Sequence, residues 1–219
     1  ALRQRLRLRV RAPYQVADMA ADALGVLDAL GIEHAHICGA SMGGMIAQRM
    51  VAAHPGRIKS LTLLMTSSGA RGLPRARAEV GRVLLSRPTR ARDPAATVAY
   101  LERLFGVIGS PAYRSEPAVL RSRLQAAVAR AWHPAGSTRQ LVAIIADADR
   151  SHLLGRIRVP TTIVHGAADP LVPVEHARDL QRKIPGARLE IIDGMGHDLP
   201  PVLMPRLAQA IAAVAVSRG

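Results

Sequence analysis

The sequence predicts an α/β fold, a mostly parallel sheet covered by helices on both faces and interrupted by an inserted helical cap. Three observations lead there. Short apolar runs alternate with amphipathic helical stretches, as in crossover units that build parallel sheets. A glycine-rich turn joins one apolar run directly to a helix. A long proline-punctuated stretch then separates two blocks of this strand and helix alternation.

From Val16 to Leu30 the apolar positions Val16, Met19, Ala20, Ala23, Leu24, Leu27 and Leu30 recur at three- and four-residue steps, with Asp18, Asp22 and Asp28 between them. That periodicity predicts an amphipathic helix, ended by Gly31. Ala35 to Cys38 reads as a short buried strand, and Gly39-Ala40-Ser41-Met42-Gly43-Gly44 as a tight turn into a helix over Met45 to Ala53, which stops before Pro55. Ser60 to Met65 is the next strand. From Thr66 to about Arg150 the texture changes: Pro74, Pro88, Pro94, Pro111, Pro117 and Pro134 divide it into short helical pieces, among them Thr97 to Phe105 and Ala118 to Trp132. Core texture resumes with a strand at Thr161 to His165, a helix from Val174 to Ile184, a strand at Ala187 to Ile192 and a final helix from Val202 to Val216. The expected organisation is core over 1–66, cap over 67–150 and core again over 151–219.

Composition limits the function. With 219 residues and 49% hydrophobic content the chain is long enough for one sizeable core. Aromatics are 2%, so that core is built from Ala, Val, Leu and Ile, and a base-stacking surface is not expected. The net charge of +14 would suit a polyanion, yet the arginines are scattered through every segment and Lys59 and Lys183 are the only lysines. No nucleic-acid partner is therefore expected, although a basic surface remains the third-ranked reading. Cys38 is the sole cysteine, which excludes an intrachain disulfide; it reads as a small buried residue in a cytoplasmic protein. Apolar runs such as Leu141 to Ala146 and Ala210 to Val216 fall short of the ~18 residues that span a bilayer, so no membrane span is expected. Leu2 to Arg11 alternates apolar residues with arginines; it lacks the continuous apolar stretch of a secretory leader and reads as a solvated arm.

The chemistry concentrates in three residues. Gly39-Ala40-Ser41-Met42-Gly43 fits G-x-S-x-G, lying between a strand and a helix as a nucleophile elbow requires. Small flanking residues let strand and helix approach, the Ser41 hydroxyl projects from the sheet, and the Met42 amide at the helix start can face an oxyanion. A serine needs a neighbouring base, itself oriented by a third group. His197, in Asp193-Gly194-Met195-Gly196-His197 after the last strand, is the candidate base. Asp169, in His165-Gly166-Ala167-Ala168-Asp169-Pro170 at the carboxyl end of a strand, is the candidate orienting acid. The competing acid position, after Ser60 to Met65, offers only Thr66, Ser67 and Ser68. Asp198 could tune His197 or simply begin the next turn. The other histidines show no metal-ligand spacing, and no G-x-x-x-x-G-K or G-x-G-x-x-G is present, so neither a metal nor a cofactor is expected.

The chain order Ser41, Asp169, His197 is that of α/β-hydrolases, and the sequence resembles that superfamily from the helix at Val16 to the C-terminus. Arg11-Ala12-Pro13-Tyr14 through Ser41-Met42-Gly43-Gly44-Met45-Ile46-Ala47-Gln48, together with Gly194-Met195-Gly196-His197-Asp198-Leu199-Pro200-Pro201, resembles bacterial esterases of the aclacinomycin methylesterase-like group. The resemblance implies hydrolysis of a carboxylic ester or lactone through an acyl-enzyme. Ser41 would attack, His197 would move the proton, Asp169 would hold the imidazole, and Met42 would help bind the oxyanion. The cap would line an apolar substrate pocket with residues such as Leu73, Phe105 and Trp132. The same triad serves carbon–carbon bond hydrolases, perhydrolases and acyltransferases, and a non-catalytic fragment or interaction protein derived from such an enzyme is the rival from another class. In the family four strands precede the helix at Val16, and a His-Gly loop supplies a second oxyanion donor; neither is seen here. The expectation is a truncated sheet whose exposed edge is open to self-association.

Overall fold

Leu61 and Leu63 face one way from their strand and Thr62 and Leu64 the other, and all four are buried, so the strand is covered on both faces. This strand, β2 (Ile58–Leu64), lies between β1 (Ala35–Ala40) and β3 (Thr161–Gly166), and β4 (Arg188–Ile192) completes a wholly parallel sheet of order β1-β2-β3-β4. The computed structural model describes residues 11–86, 93–131, 133–147 and 149–216. The alternating stretch Leu2 to Arg11, apart from Arg11 itself, and Trp132 lie outside the described residues.

Parallel neighbours need crossovers, and helices supply them. Helix α1 (Val16–Ala29) packs Ala20 and Leu24 on Met50 of α2 (Met42–Ala53), and α2 in turn buries Ala47 and Val51 against β2. Between β2 and β3 stand α3 (Ala78–Leu85), α4 (Pro94–Ile108), α5 (Pro117–Arg130), α6 (Pro134–Ala146) and the short α7 (Ser151–Leu154). Helix α8 (Glu175–Lys183) places Ala177 and Leu180 in the same core as α2. The opposite face is covered by α9 (Met204–Val216), whose Leu207 meets Leu64, Val164 and Ile192.

Several boundaries differ from the sequence reading for physical reasons. Pro94, Pro117 and Pro134 not only divide the helical pieces but are themselves the first residues of helices, because the first helical position has no amide bond to lose. Strand β1 runs two residues past Cys38, and α2 begins at Met42 rather than Met45, so the turn between them is a single residue, Ser41. The expectation that Cys38 is buried is corrected: it is exposed. Strand alternation turns Ile37 to the core and His36 and Cys38 outward, and among the described residues β1 pairs only with β2.

The stems of the helical insertion meet at one buried cation. Arg150 is 1% exposed and donates to the carbonyls of Ser67 and Asp147, the Asp147 carboxylate and Gln48 Oε1 on α2. Its amide also bonds the Ser68 carbonyl at 2.9 Å, and Arg49 pairs with Asp147 from the α2 side. A buried guanidinium is tolerated because its donors are nearly all used.

Candidate active site

Ser41 occupies the sharp corner between β1 and α2 with φ 52° and ψ −117°, a conformation that a side-chain-bearing residue adopts at a cost of about 1–3 kcal/mol. Its neighbours hold it there. The Ser41 amide donates to the Leu64 carbonyl at 2.9 Å, and the Ser41 carbonyl accepts from Thr66 Oγ1 at 2.6 Å and from the Gly44 amide at 3.0 Å. The corner closes only with glycine at two places. A Cβ on Gly39 would lie 2.3 Å from the Gly43 carbonyl oxygen, and one on Gly44 would lie 2.6 Å from the Thr66 side chain. Met42 is the first residue of α2, where helix amides lack an intrahelical acceptor.

Two loops at the carboxyl ends of β3 and β4 bring the partners. Asp169 is 4% exposed; its Oδ1 accepts from the Leu171 and Val172 amides at 2.9 and 2.8 Å, leaving Oδ2 for His197 Nδ1 at 2.7 Å. His197 Nε2 then stands 3.0 Å from Ser41 Oγ. With Nδ1 carrying the proton to the carboxylate, Nε2 presents a lone pair to the hydroxyl, the arrangement that lets an imidazole take a proton from serine. The structure thus brings together Ser41, Asp169 and His197, three residues spread over most of the sequence, and places Met42 next to the hydroxyl in the chain.

The His197 ring bonds Asp169 and Ser41, whereas the neighbouring Asp198 accepts through Oδ1 from the amide and hydroxyl of Ser110, in the loop after α4. The adjacent acid is therefore engaged with the insertion. The loop carrying His197 approaches β3 so closely that a Cβ on Gly166 would lie 2.2 Å from the Met195 carbonyl oxygen. His165, fully buried beside Asp169, donates Nε2–H to the Val172 carbonyl at 2.7 Å, and its Nδ1 has no partner among the described residues. Burial pushes the His165 imidazole below its ordinary range, only partly offset by the Val172 carbonyl and the Asp169 charge, and keeps it neutral at neutral pH.

Among the residues expected to line a pocket, Phe105 packs with Val98, Leu124 and Val128 in the core between α4 and α5, and Leu73 is half-buried. Two surface clefts, one between α1 and α2 and one between α4 and α5, are lined by none of Ser41, Asp169 and His197. No group of three or more His, Cys, Asp or Glu among the described residues is placed to hold a metal ion. No helix among the described residues is long and apolar enough to cross a membrane. The sequence alone did not single out Ser110 or Ile108, which carry no local motif and are revealed only by the packing of the insertion against the His197 loop, nor the role of Thr66 in holding the Ser41 carbonyl.

Comparison with known proteins gives concordant results. The sequence model of the alpha/beta hydrolase fold family matches residues 4–201. Rhodomycin D methylesterase DnrP of Streptomyces peucetius is 29% identical over 92% of this chain and 73% of its own length. A 2-hydroxy-6-oxononadienedioate/2-hydroxy-6-oxononatrienedioate hydrolase of Cupriavidus pinatubonensis is 32% identical over 79% of this chain and 59% of its own length. Among solved structures, a hydrolase from Pseudomonas aeruginosa superposes with a TM-score of 0.69 at 27% identity, covering 94% of this chain and 73% of the other. An enol-lactonase from Burkholderia xenovorans superposes with a TM-score of 0.68 over 93% of this chain and 73% of the other, and its 22% identity speaks to the fold alone.

Proposed function

The chain belongs to the alpha/beta hydrolase fold family and is a hydrolase of that family, and from this premise we propose that it cleaves a carboxylic ester or lactone with Ser41 as nucleophile, His197 as general base and acid, and Asp169 as the orienting acid. The observation that carries the reading is the continuous line from Ser41 Oγ to His197 Nε2 at 3.0 Å and from His197 Nδ1 to Asp169 Oδ2 at 2.7 Å, anchored on a strained corner.

Each step follows from that line. As Ser41 Oγ bonds to the carbonyl carbon, its proton passes to His197 Nε2 and the carbonyl pair moves onto oxygen, where the Met42 amide donates to it. The imidazolium formed is stabilised by the Asp169 carboxylate, which two backbone amides hold in place. Collapse of the tetrahedral centre breaks the carbon–oxygen bond, and Nε2–H protonates the leaving alkoxide. Water then attacks the acyl-enzyme, losing its proton to Nε2, and releases the acid with Ser41 restored. An ester is the favoured substrate because relatives covering 92% of the chain are named methylesterases. In this reading residues 67–150 form the cap against which an apolar acyl or alcohol group lies, joined to the core at the Ser67, Ser68 and Arg150 stems.

The test is reaction with an activated fluorophosphonate followed by peptide mapping, together with turnover of 4-nitrophenyl butyrate. One adduct on Ser41, lost in Ser41→Ala along with turnover, is expected. Adduct on another serine, or equal labelling after Ser41→Ala, removes the assignment of the nucleophile, whereas no adduct and no turnover favours a non-catalytic descendant of the family.

A further inference from the structure

The loop that carries His197 is held from two sides, and the two sides come from different parts of the chain. On the core side, the Met195 amide bonds the Ile192 carbonyl and the Met195 carbonyl accepts from the Ala168 amide, both within the β3 and β4 ends. Beyond Met195 the Gly196 and His197 amides and the Asp198 carboxylate turn to the insertion. The Gly196 amide donates to Ser110 Oγ at 2.8 Å, the His197 amide to the Ile108 carbonyl at 2.7 Å, and the Asp198 carboxylate accepts from both the amide and the hydroxyl of Ser110. A fifth bond, from the Ala112 amide to the Gly194 carbonyl at 3.2 Å, closes the seam.

The contact is close. A Cβ on Gly196 would lie 2.6 Å from the Gly109 carbonyl group, and one on Gly194 would lie 2.3 Å from the Ala112 Cβ. Backbone meets backbone at Gly196, and only the single methyl of Ala112 stands at Gly194, so no long side chain at either glycine takes up a displacement. Ser110, 1% exposed, is the joint: its hydroxyl has one proton, spent on Asp198, and accepts the Gly196 amide through a lone pair. An imidazole that must keep one nitrogen at 3.0 Å from Ser41 and the other at 2.7 Å from Asp169 cannot tolerate a moving backbone. A misplacement of about 1 Å costs on the order of 10²-fold in rate.

We propose that Ser110 and Asp198 are positioning residues for His197, a clamp through which the end of α4 sets where the imidazole stands. The proposal rests on the reading of Ser41, His197 and Asp169 given above. It makes the insertion part of the proton-transfer apparatus: a substrate group that shifts the end of α4 also shifts the base.

Two readouts test it in the whole protein: the titration of the His197 imidazole, followed by NMR on His-selective carbon-13 labels and assigned by its loss in His197→Gln, and the rate of Ser41 phosphonylation. Ser110→Ala and Asp198→Ala are expected to slow labelling about 10- to 100-fold and to move the His197 titration. Asp198→Asn, which keeps the one oxygen that both Ser110 donors use, is expected to label within about threefold of the parent. If Ser110→Ala does not fold, the Asp198→Ala and Asp198→Asn pair carries the comparison. Folded alanine variants that melt lower but label within about twofold of the parent, with the His197 titration unmoved, would reduce the clamp to a structural staple and overturn the proposal. Failure of the catalytic reading is separately visible as a parent unlabelled at Ser41, or labelled equally in His197→Gln; the titration needs no turnover and still decides the clamp.

Discussion

Asp169 divides its two oxygens between tasks, and that division sets what a substitution does. Oδ1 closes a turn onto Leu171 and Val172, whereas Oδ2 alone addresses His197. Asp169→Asn keeps an oxygen for the turn and puts an amide N–H toward Nδ1. The imidazole must then carry its proton on Nε2, where it cannot accept from Ser41. The loss in turnover is expected to be of order 10⁴ by analogy with serine proteases, with little change in melting temperature, measured by ester hydrolysis and thermal unfolding. Asp198→Asn is expected to cost far less; the reverse ranking would make Asp198 the acid. At this scale Ser41 was legible through Gly39 to Gly43 between a strand and a helix; the corner itself imposes glycine at Gly39 and at Gly44, one residue beyond that motif, and leaves Gly43 open. His197 and Asp169 were legible because glycine-rich turns follow apolar runs. Ser110 was not: Gly109-Ser110-Pro111 looks like any turn, and its partners lie 86 and 88 residues away. Cys38 misled because an apolar run does not say which strand face is covered, and β1 turns that residue outward.

Helix α8 shows how an element is tied to the exit of a neighbouring strand by charge. Asp179, 5% exposed, accepts from Ser68 Oγ at 2.6 Å just past β2 and pairs with Lys183 at 2.8 Å and Arg182 at 3.5 Å. Burial pushes its carboxyl up, but the hydrogen bonds from Lys183 and Ser68, with the charges of Lys183 and Arg182, outweigh it, and the net shift is downward from 3.8. A carboxylate with a depressed folded value binds fewer protons folded than unfolded, so its stabilisation is present above its ordinary value and is lost as pH falls from there through the folded value. Urea unfolding at pH 6 and pH 3 is expected to show Asp179→Asn less stable by about 1–3 kcal/mol at pH 6, with a narrower gap at pH 3. An equal gap at both pH values would refute the charge argument. Element type was readable here from periodicity, as it was for α1 and α9, because each buries one apolar stripe. The insertion was read less well. Its prolines mark divisions between helical pieces, but the letters do not say on which side of each proline a helix lies; Pro94, Pro117 and Pro134 each stand at a helix start.

At the scale of the whole molecule the question is what a net charge of +14 is for. Duplex binding needs cations ranged along one face at phosphate spacing, and tight single-strand binding also needs aromatic platforms for the bases. The ion pairs among the described residues are instead dispersed. Arg49 and Arg150 meet Asp147 at the insertion stems, Arg57 meets Asp28 before β2, Arg121 meets Glu102 between α4 and α5, and Arg206 meets Glu190 near β4. Each of these arginines is partly neutralised where it stands, and one is buried. With aromatics at 2% there is little for a base to stack on. The charge is therefore expected to give only diffuse attraction. Anisotropy titrations of a labelled duplex and a labelled single strand should give dissociation constants no tighter than the ~10⁻⁴ to 10⁻⁶ M of non-specific binding at physiological salt, weakening steeply between about 50 and 200 mM. The slope of log K against log salt counts the phosphates engaged, so a shallow slope accompanying sub-micromolar binding at about 200 mM salt would mean contacts beyond charge, and would reveal an organised nucleic-acid surface that the dispersed pairs do not provide.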